Sequence, residues 1–265
     1  MPVVFRDPHF LTAIPRRLRA QVTRCRRVAL DLLFPARCVC CGASPSPEDG
    51  IMLCTSCRDA LGPEQWQGCP GCGGAVPGEQ PPTARCPLCS RMALHWDSVI
   101  PLGKYYGALR TAISGRMKTP AGEPLAAAVG QLWCALRGSH VAALQPDVVV
   151  PIPMHWRTRL VRRTSSAETL ARQIAVHLGI PLATRMLRCR RRTLPQKDLK
   201  PRERFRNVRD AFGLSRCCTL EGARIVLVDD VLTTGATCNE AARVLKNRGV
   251  SRVIVAVMAR ATGIE

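Results

Sequence analysis

Residues 225–237 read Ile-Val-Leu-Val-Asp-Asp-Val-Leu-Thr-Thr-Gly-Ala-Thr, and no other stretch limits the fold so tightly. Four apolar residues, Ile225 to Val228, run into two adjacent carboxylates, Asp229 and Asp230. A short apolar run that stops at turn residues is the pattern of a strand buried on both faces. Thr233, Thr234, Gly235, Ala236 and Thr237 lead from there into the helical pattern of Asn239 to Arg248. Strand, acid pair, small-residue loop, helix: this order puts backbone N–H groups and a helix N-terminus where they can hold a phosphate. The acids just upstream are placed to accept hydrogen bonds from sugar hydroxyls. The pattern suits a ribose 5-phosphate. The competing reading is a buried strand followed by an ordinary solvated turn.

The residues around this motif repeat the alternation. Ser98 to Tyr106 reads as a strand with a turn at Gly107, and Ala108 to Lys118 and Glu123 to Arg137 read as helices. Asp147 to Ile152 is a second buried strand, halted by Pro151 and Pro153. Ser165 to Leu178 is an amphipathic helix with Ser165 or Ser166 as its N-cap and Glu168 close behind. Pro181 to Leu187 is a candidate strand, Arg188 to Arg209 a basic loop, and Val253 to Met258 a last buried strand. Strands alternating with helices predict a parallel α/β sheet, whose ligands bind beyond the strands' carboxyl ends.

Residues 37–95 have a different texture, rich in Cys, Gly and Pro and poor in periodicity. Such a segment needs a staple. Cys38, Cys41, Cys54 and Cys57 form one set, and Cys69, Cys72, Cys86 and Cys89 a second. Each reads Cys-x2-Cys, a spacer, Cys-x2-Cys, the spacing by which thiolates bind tetrahedral Zn2+. Gly42 and Gly73, each directly after a second cysteine, suit a tight knuckle. Two structural zinc ribbons in series are expected, with sequential or crossed pairing left open by the spacing. Metal thiolates also imply a reducing cytoplasm.

The remaining features bound the partners. Residues 1–36 carry an apolar stripe at helical spacing, flanked by arginines. This suits contact with a membrane surface or nucleic acid, or packing on the rest of the chain. The formal charge is +20, from 39 Lys and Arg against 19 acids, which favours a polyanionic partner. Sixteen of those cations, against three acids, fall between His155 and Arg209. Aromatics are few, so stacking platforms for single strands are not evident. No apolar run approaches the roughly 18 residues of a membrane span, and the first residues do not read as a secretory signal.

The thirteen-residue motif resembles the 5-phosphoribosyl-1-pyrophosphate (PRPP) binding motif of type I phosphoribosyltransferases. The resemblance implies that Asp229 and Asp230 meet the ribose hydroxyls, and that residues 233–237 cradle the 5-phosphate. With the cysteine pairs, the chain as a whole resembles the bacterial ComF family, competence-associated phosphoribosyltransferase-like proteins. Family-like landmarks are Tyr105-Tyr106-Gly107, Met117-Lys118, Val150-Pro151-Ile152-Pro153, Thr193 with Gln196 and Leu199, Arg204 with Asn207 and Ala211-Phe212, and Ala259-Arg260. The implied fold is a type I phosphoribosyltransferase-like sheet over residues 96–265 with a small N-terminal zinc-ribbon module. Arg157, Arg162, Arg163, Arg192, Lys197 and Arg204 would lie on the pyrophosphate and flexible loops, with Mg2+ accompanying PRPP. Acceptor specificity would come from a hood on the N-terminal side, with the zinc module a candidate. One departure stands out. The family's Arg-Gly-aromatic-Asn-Gln is replaced by Arg162-Arg163-Thr164-Ser165-Ser166. The resemblance implies a transferase with an unknown acceptor, or a non-catalytic accessory of DNA uptake that binds single-stranded DNA or partner proteins. A zinc-dependent structural adaptor is a third reading.

Overall fold

In the computed structural model the described residues are 35–45, 50–63, 68–74, 85–90, 92–154, 165–191, 193–194, 199–215 and 219–261. The expected helix at 1–36 lies outside them, apart from its last two residues. So do Arg157, Arg162, Arg163, Arg192 and Lys197.

In chain order the elements are α1 (Thr55–Leu61), α2 (Pro87–Ser90), β1 (Ser98–Lys104), α3 (Gly107–Ser114), α4 (Glu123–Ala143), β2 (Val148–Pro151), α5 (Ser166–Leu178), β3 (Leu187–Cys189), α6 (Pro201–Val208), β4 (Phe212–Leu214), β5 (Arg224–Leu232), α7 (Ala236–Lys246) and β6 (Arg252–Arg260). Strands β1, β6, β5 and β2 lie in that order in one sheet, and every pairing in it is parallel. A parallel sheet needs cover on both faces, and the apolar run of β5 supplies it by alternation. Val226 and Val228 face a core with α3, α4 and α5, while Ile225 and Leu227 face the core of α7. All four have no exposed surface. Full burial is worth about 1.5–3 kcal/mol for each such side chain, which fixes β5 at the sheet centre. Trp133 of α4 is equally buried, and its indole N–H reaches the Val257 carbonyl at 3.1 Å.

Several expected elements differ in extent. The run 108–118 is not one helix. Helix α3 stops at Ser114, and Arg116–Lys118 forms a separate 3-10 turn after Gly115. Helix α4 runs on to Ala143. Helix α5 is capped by Ser165, whose hydroxyl accepts the Glu168 N–H at 3.3 Å, and it ends at left-handed Gly179. Residues 181–187 do not form a full strand. Leu182 makes one parallel bridge to Val149, and the regular strand starts only at Leu187, pairing antiparallel with β4. The basic stretch 188–209 also contains helix α6, which opens on Pro201 and a capping bond from the Lys200 N–H to the Glu203 carboxylate at 2.8 Å. Proline at the first helical position sets φ without sacrificing a bond, a signal submerged by the local charge.

Candidate functional site

The strand carrying the acid pair does not end at it. Strand β5 continues to Leu232, pairing Asp229 with Val257 and Val231 with Ala259 on β6. On the other side β2 stops at Pro151, opposite Val228. Prolines at 151 and 153 leave β2 short, so β5 outruns its neighbour and one flank of the acids opens into a crevice. That crevice is a cavity of about 620 Å3. Asp229, Asp230, Thr233 and Thr237 all line it, so the acids and the small-residue loop share one space.

The backbone here is shaped by its own side chains. Asp229 Oδ1 accepts the Asp230 N–H at 2.9 Å, and Asp230 Oδ1 accepts the Val231 N–H at 2.8 Å. Gly235 is the N-cap of α7 with φ +80°, a left-handed conformation that disfavours a side chain. Thr234 Oγ1 is 3.4 Å from the Ala236 nitrogen. Gly235 and Ala236 line a smaller recess on the same loop, beside Asp229. Burial, and next the adjacent Asp230 charge, hold the Asp229 carboxyl well above the ordinary range of aspartate. The Cys238 thiol lies 3.7 Å behind it, itself pushed up by burial and by Asp229.

Of the six cations expected on the pyrophosphate and flexible loops, Arg204 is the described one, and it reaches the cavity. Its guanidinium donates to the Thr233 hydroxyl at 3.3 Å and to the Leu199 carbonyl at 3.0 Å. The two departure positions within the described residues, Ser165 and Ser166, also line the cavity. The far wall comes from Tyr105, Ile113, Met117 and Lys118. No described residue of the cysteine module lines the cavity, and segment 105–118 forms that wall. The module stands behind that segment. Arg116 donates to the carbonyls of Val39 and Cys40 at 2.8 and 2.5 Å. Tyr105, Met117 and Lys118 were visible as landmarks. Ile113 and Met154 carry no chemical signature, and only the fold brings them to the site.

The eight cysteines gather in two groups, Cys38, Cys41, Cys54 and Cys57, and Cys69, Cys72, Cys86 and Cys89. The open question of pairing is thereby answered as sequential. Within each group the sulfurs lie within 4.8 Å of one another. Nearest separations run from 3.5 to 3.7 Å. A tetrahedral zinc with Zn–S of about 2.3 Å needs sulfur–sulfur edges of about 3.8 Å, while a disulfide needs about 2.05 Å. The donor sets therefore fit zinc, which would tie each pair of knuckles together. The knuckles are near copies. Gly42 and Gly73 are left-handed at φ +82° and +68°, and each returns its N–H to the first cysteine's carbonyl, at 2.8 and 2.7 Å.

Comparison with known proteins agrees with this architecture. The Phosphoribosyl transferase domain family matches residues 124–263, just over half of the chain. Competence protein F of Haemophilus influenzae is 28% identical over 234 residues, 86% of this chain and 98% of that protein. DNA utilization protein YhgH of Salmonella typhimurium is 29% identical over 229 residues, 78% of this chain and 96% of its own length. With an acid pair and a threonine–glycine loop sharing one cavity at the carboxyl end of a parallel sheet, the chain belongs to the phosphoribosyl transferase domain family.

Proposed function

We propose that this protein binds PRPP in the 620 Å3 cavity, with Asp229 and Asp230 toward the ribose hydroxyls and residues 233–237 around the 5-phosphate. The observation that carries this reading is the opening of both groups into the same space. Arg204 beside Thr233 adds a cation at the phosphate end. Arg157, Arg162, Arg163, Arg192 and Lys197 belong to the same basic stretch and are assigned to the pyrophosphate side. Mg2+ carried by the pyrophosphate would neutralise the leaving group. In a transfer reaction an acceptor nitrogen bonds to C1 of the ribose as the C1–O bond to pyrophosphate breaks. Positive charge then develops on the ring, and the negative charge of the adjacent acid pair stabilises it. The acceptor would sit against Tyr105, Ile113 and Met117. Titration calorimetry with PRPP and Mg2+ tests the assignment: micromolar to millimolar binding is expected, weakened about tenfold or more in Asp230→Asn. No heat at millimolar PRPP ends it.

A second reading has its own support. Ser165 and Ser166 stand on the cavity wall where the resembled family carries other groups. Two relatives are named for competence and DNA utilization. On this reading the fold binds a phosphoribosyl ligand without transferring it, and the basic surface contacts single-stranded DNA or uptake proteins. Affinity for an oligonucleotide should then fall steeply between low and physiological salt. Either role fits the reducing cytoplasm, where thiolate metal sites persist.

A further inference from the structure

The second cysteine cluster is built onto the back of the phosphate loop through three residues. Arg260, at the end of β6, donates Nε–H to the Cys72 carbonyl at 2.7 Å. Its Nη1 donates to the carbonyls of Leu232 and Thr233, where the loop opens, at 2.9 and 2.5 Å. Trp96 is buried and donates its indole N–H to the Gly71 carbonyl at 2.6 Å. The same ring lies over Gly235, where an added Cβ would stand only 2.5 Å from it. Asn239, in the first turn of α7, holds the segment leaving the cluster through the Ala93 carbonyl at 3.1 Å and the His95 N–H at 2.8 Å. Gly71 and Cys72 lie inside the Cys69–Cys72 knuckle, so knuckle and phosphate loop share the donors that fix both.

We propose that the second cluster is a metal-dependent brace of the phosphate loop, so that metal at Cys69, Cys72, Cys86 and Cys89 and a phosphoribosyl ligand at 233–237 strengthen each other's binding through Arg260 and Trp96. Four thiolates hold the knuckle in one shape only while a common ion ties them. Without it the Gly71 and Cys72 carbonyls lose their fixed positions, and Arg260 and Trp96 lose their acceptors. The loop around left-handed Gly235 then has more conformations to give up on binding, which weakens the ligand. Coupling of this kind is reciprocal. Arg260 and Trp96 are positioning residues, since the cavity lining includes neither. The inference rests on the phosphoribosyl reading of the loop.

The test uses the full zinc-loaded chain and a chromogenic chelator, with and without saturating PRPP in excess Mg2+. PRPP is expected to slow withdrawal of one zinc about fivefold or more. A Cys41→Ser, Cys54→Ser variant, with only the second set complete, assigns that zinc. A Trp96→Phe, Arg260→Lys variant should keep its zinc content, lose the protection and bind PRPP about tenfold more weakly. Equal withdrawal rates in wild-type protein with and without PRPP overturn the brace, as does wild-type PRPP affinity in the folded double variant. Should that variant not fold, the wild-type chelation rates decide alone. Absence of PRPP binding to the zinc-loaded wild type overturns the phosphoribosyl assignment itself, and the brace with it.

Discussion

At neutral pH the buried carboxyl of Asp229 works against the fold. Its carboxyl is pushed up by burial and then by Asp230, so the folded chain keeps a proton that the unfolded chain releases. Below the ordinary aspartate range near ~3.9 both states hold the proton and the group costs nothing. As pH rises past that value the unfolded state gains by ionising, and stability falls until the folded group ionises too. Asp229→Asn removes this liability. Its melting temperature should exceed that of the wild type by roughly 2–4 °C near neutral pH, with the gain vanishing below about pH 4. A gain that persisted in acid would place the cost elsewhere. The same residue was legible in the sequence as an acid after a dry strand. Its raised proton affinity was not, because the largest cause, burial of the carboxyl, exists only in the folded chain.

At the scale of elements, the basic stretch is tied down at its end by one buried acid. Glu240 of α7 is only 8% exposed and accepts the Asp210 N–H at 2.9 Å. Arg243 doubles onto it at 2.6 and 2.9 Å and also reaches Asp210 Oδ1 at 2.8 Å, a partnership that raises the Arg243 pKa. Asp210 itself is left-handed at φ +55°, uncommon for a residue with a side chain. The latch joins the exit of α6, which carries Arg204, to the helix that starts at the threonine–glycine loop. Asn207 closes the other side of this segment with two bonds to the Leu194 backbone, both 2.9 Å. Glu240→Gln keeps the shape and loses the charge, so it should cost about 1–2 kcal/mol, read as a lower urea midpoint at unchanged slope. A polar, irregular run of arginines hid both the helix and the latch. Their causes are a proline at the helix start and an acid thirty residues away.

At the scale of the whole molecule, the cysteine module and the sheet share a core. Cys38, Ile51, Leu53 and Leu61 pack in the same cluster as Leu102, Ile113 and Met117. Arg137 of α4 is buried and bonds the carbonyls of Pro63 and Leu102, at 2.7 and 3.0 Å, across the junction. Metal loss should therefore be felt beyond the ribbons. Elemental analysis should give about two zinc ions per chain, and complete chelation should lower the melting temperature by about 10 °C or more. A chelated protein melting like the loaded one would show that the knuckles fold without metal. Among the described residues no helix is long and apolar enough to cross a membrane.

The sequence by itself determined the parallel sheet, the two four-cysteine sets and the acid–threonine–glycine segment. All three are local: a buried strand, a knuckle and a small-residue loop at a helix start each need only a few consecutive residues of the right kind. Tertiary structure alone decided that β5 runs on past the acids beside a cavity, and which segment walls that cavity. It also decided that Trp96 and Arg260 bridge the second cysteine set to the loop. Those outcomes join residues 25 to 188 positions apart. No spacing rule reaches that far, because such contacts exist only once the sheet and both cores have closed around them.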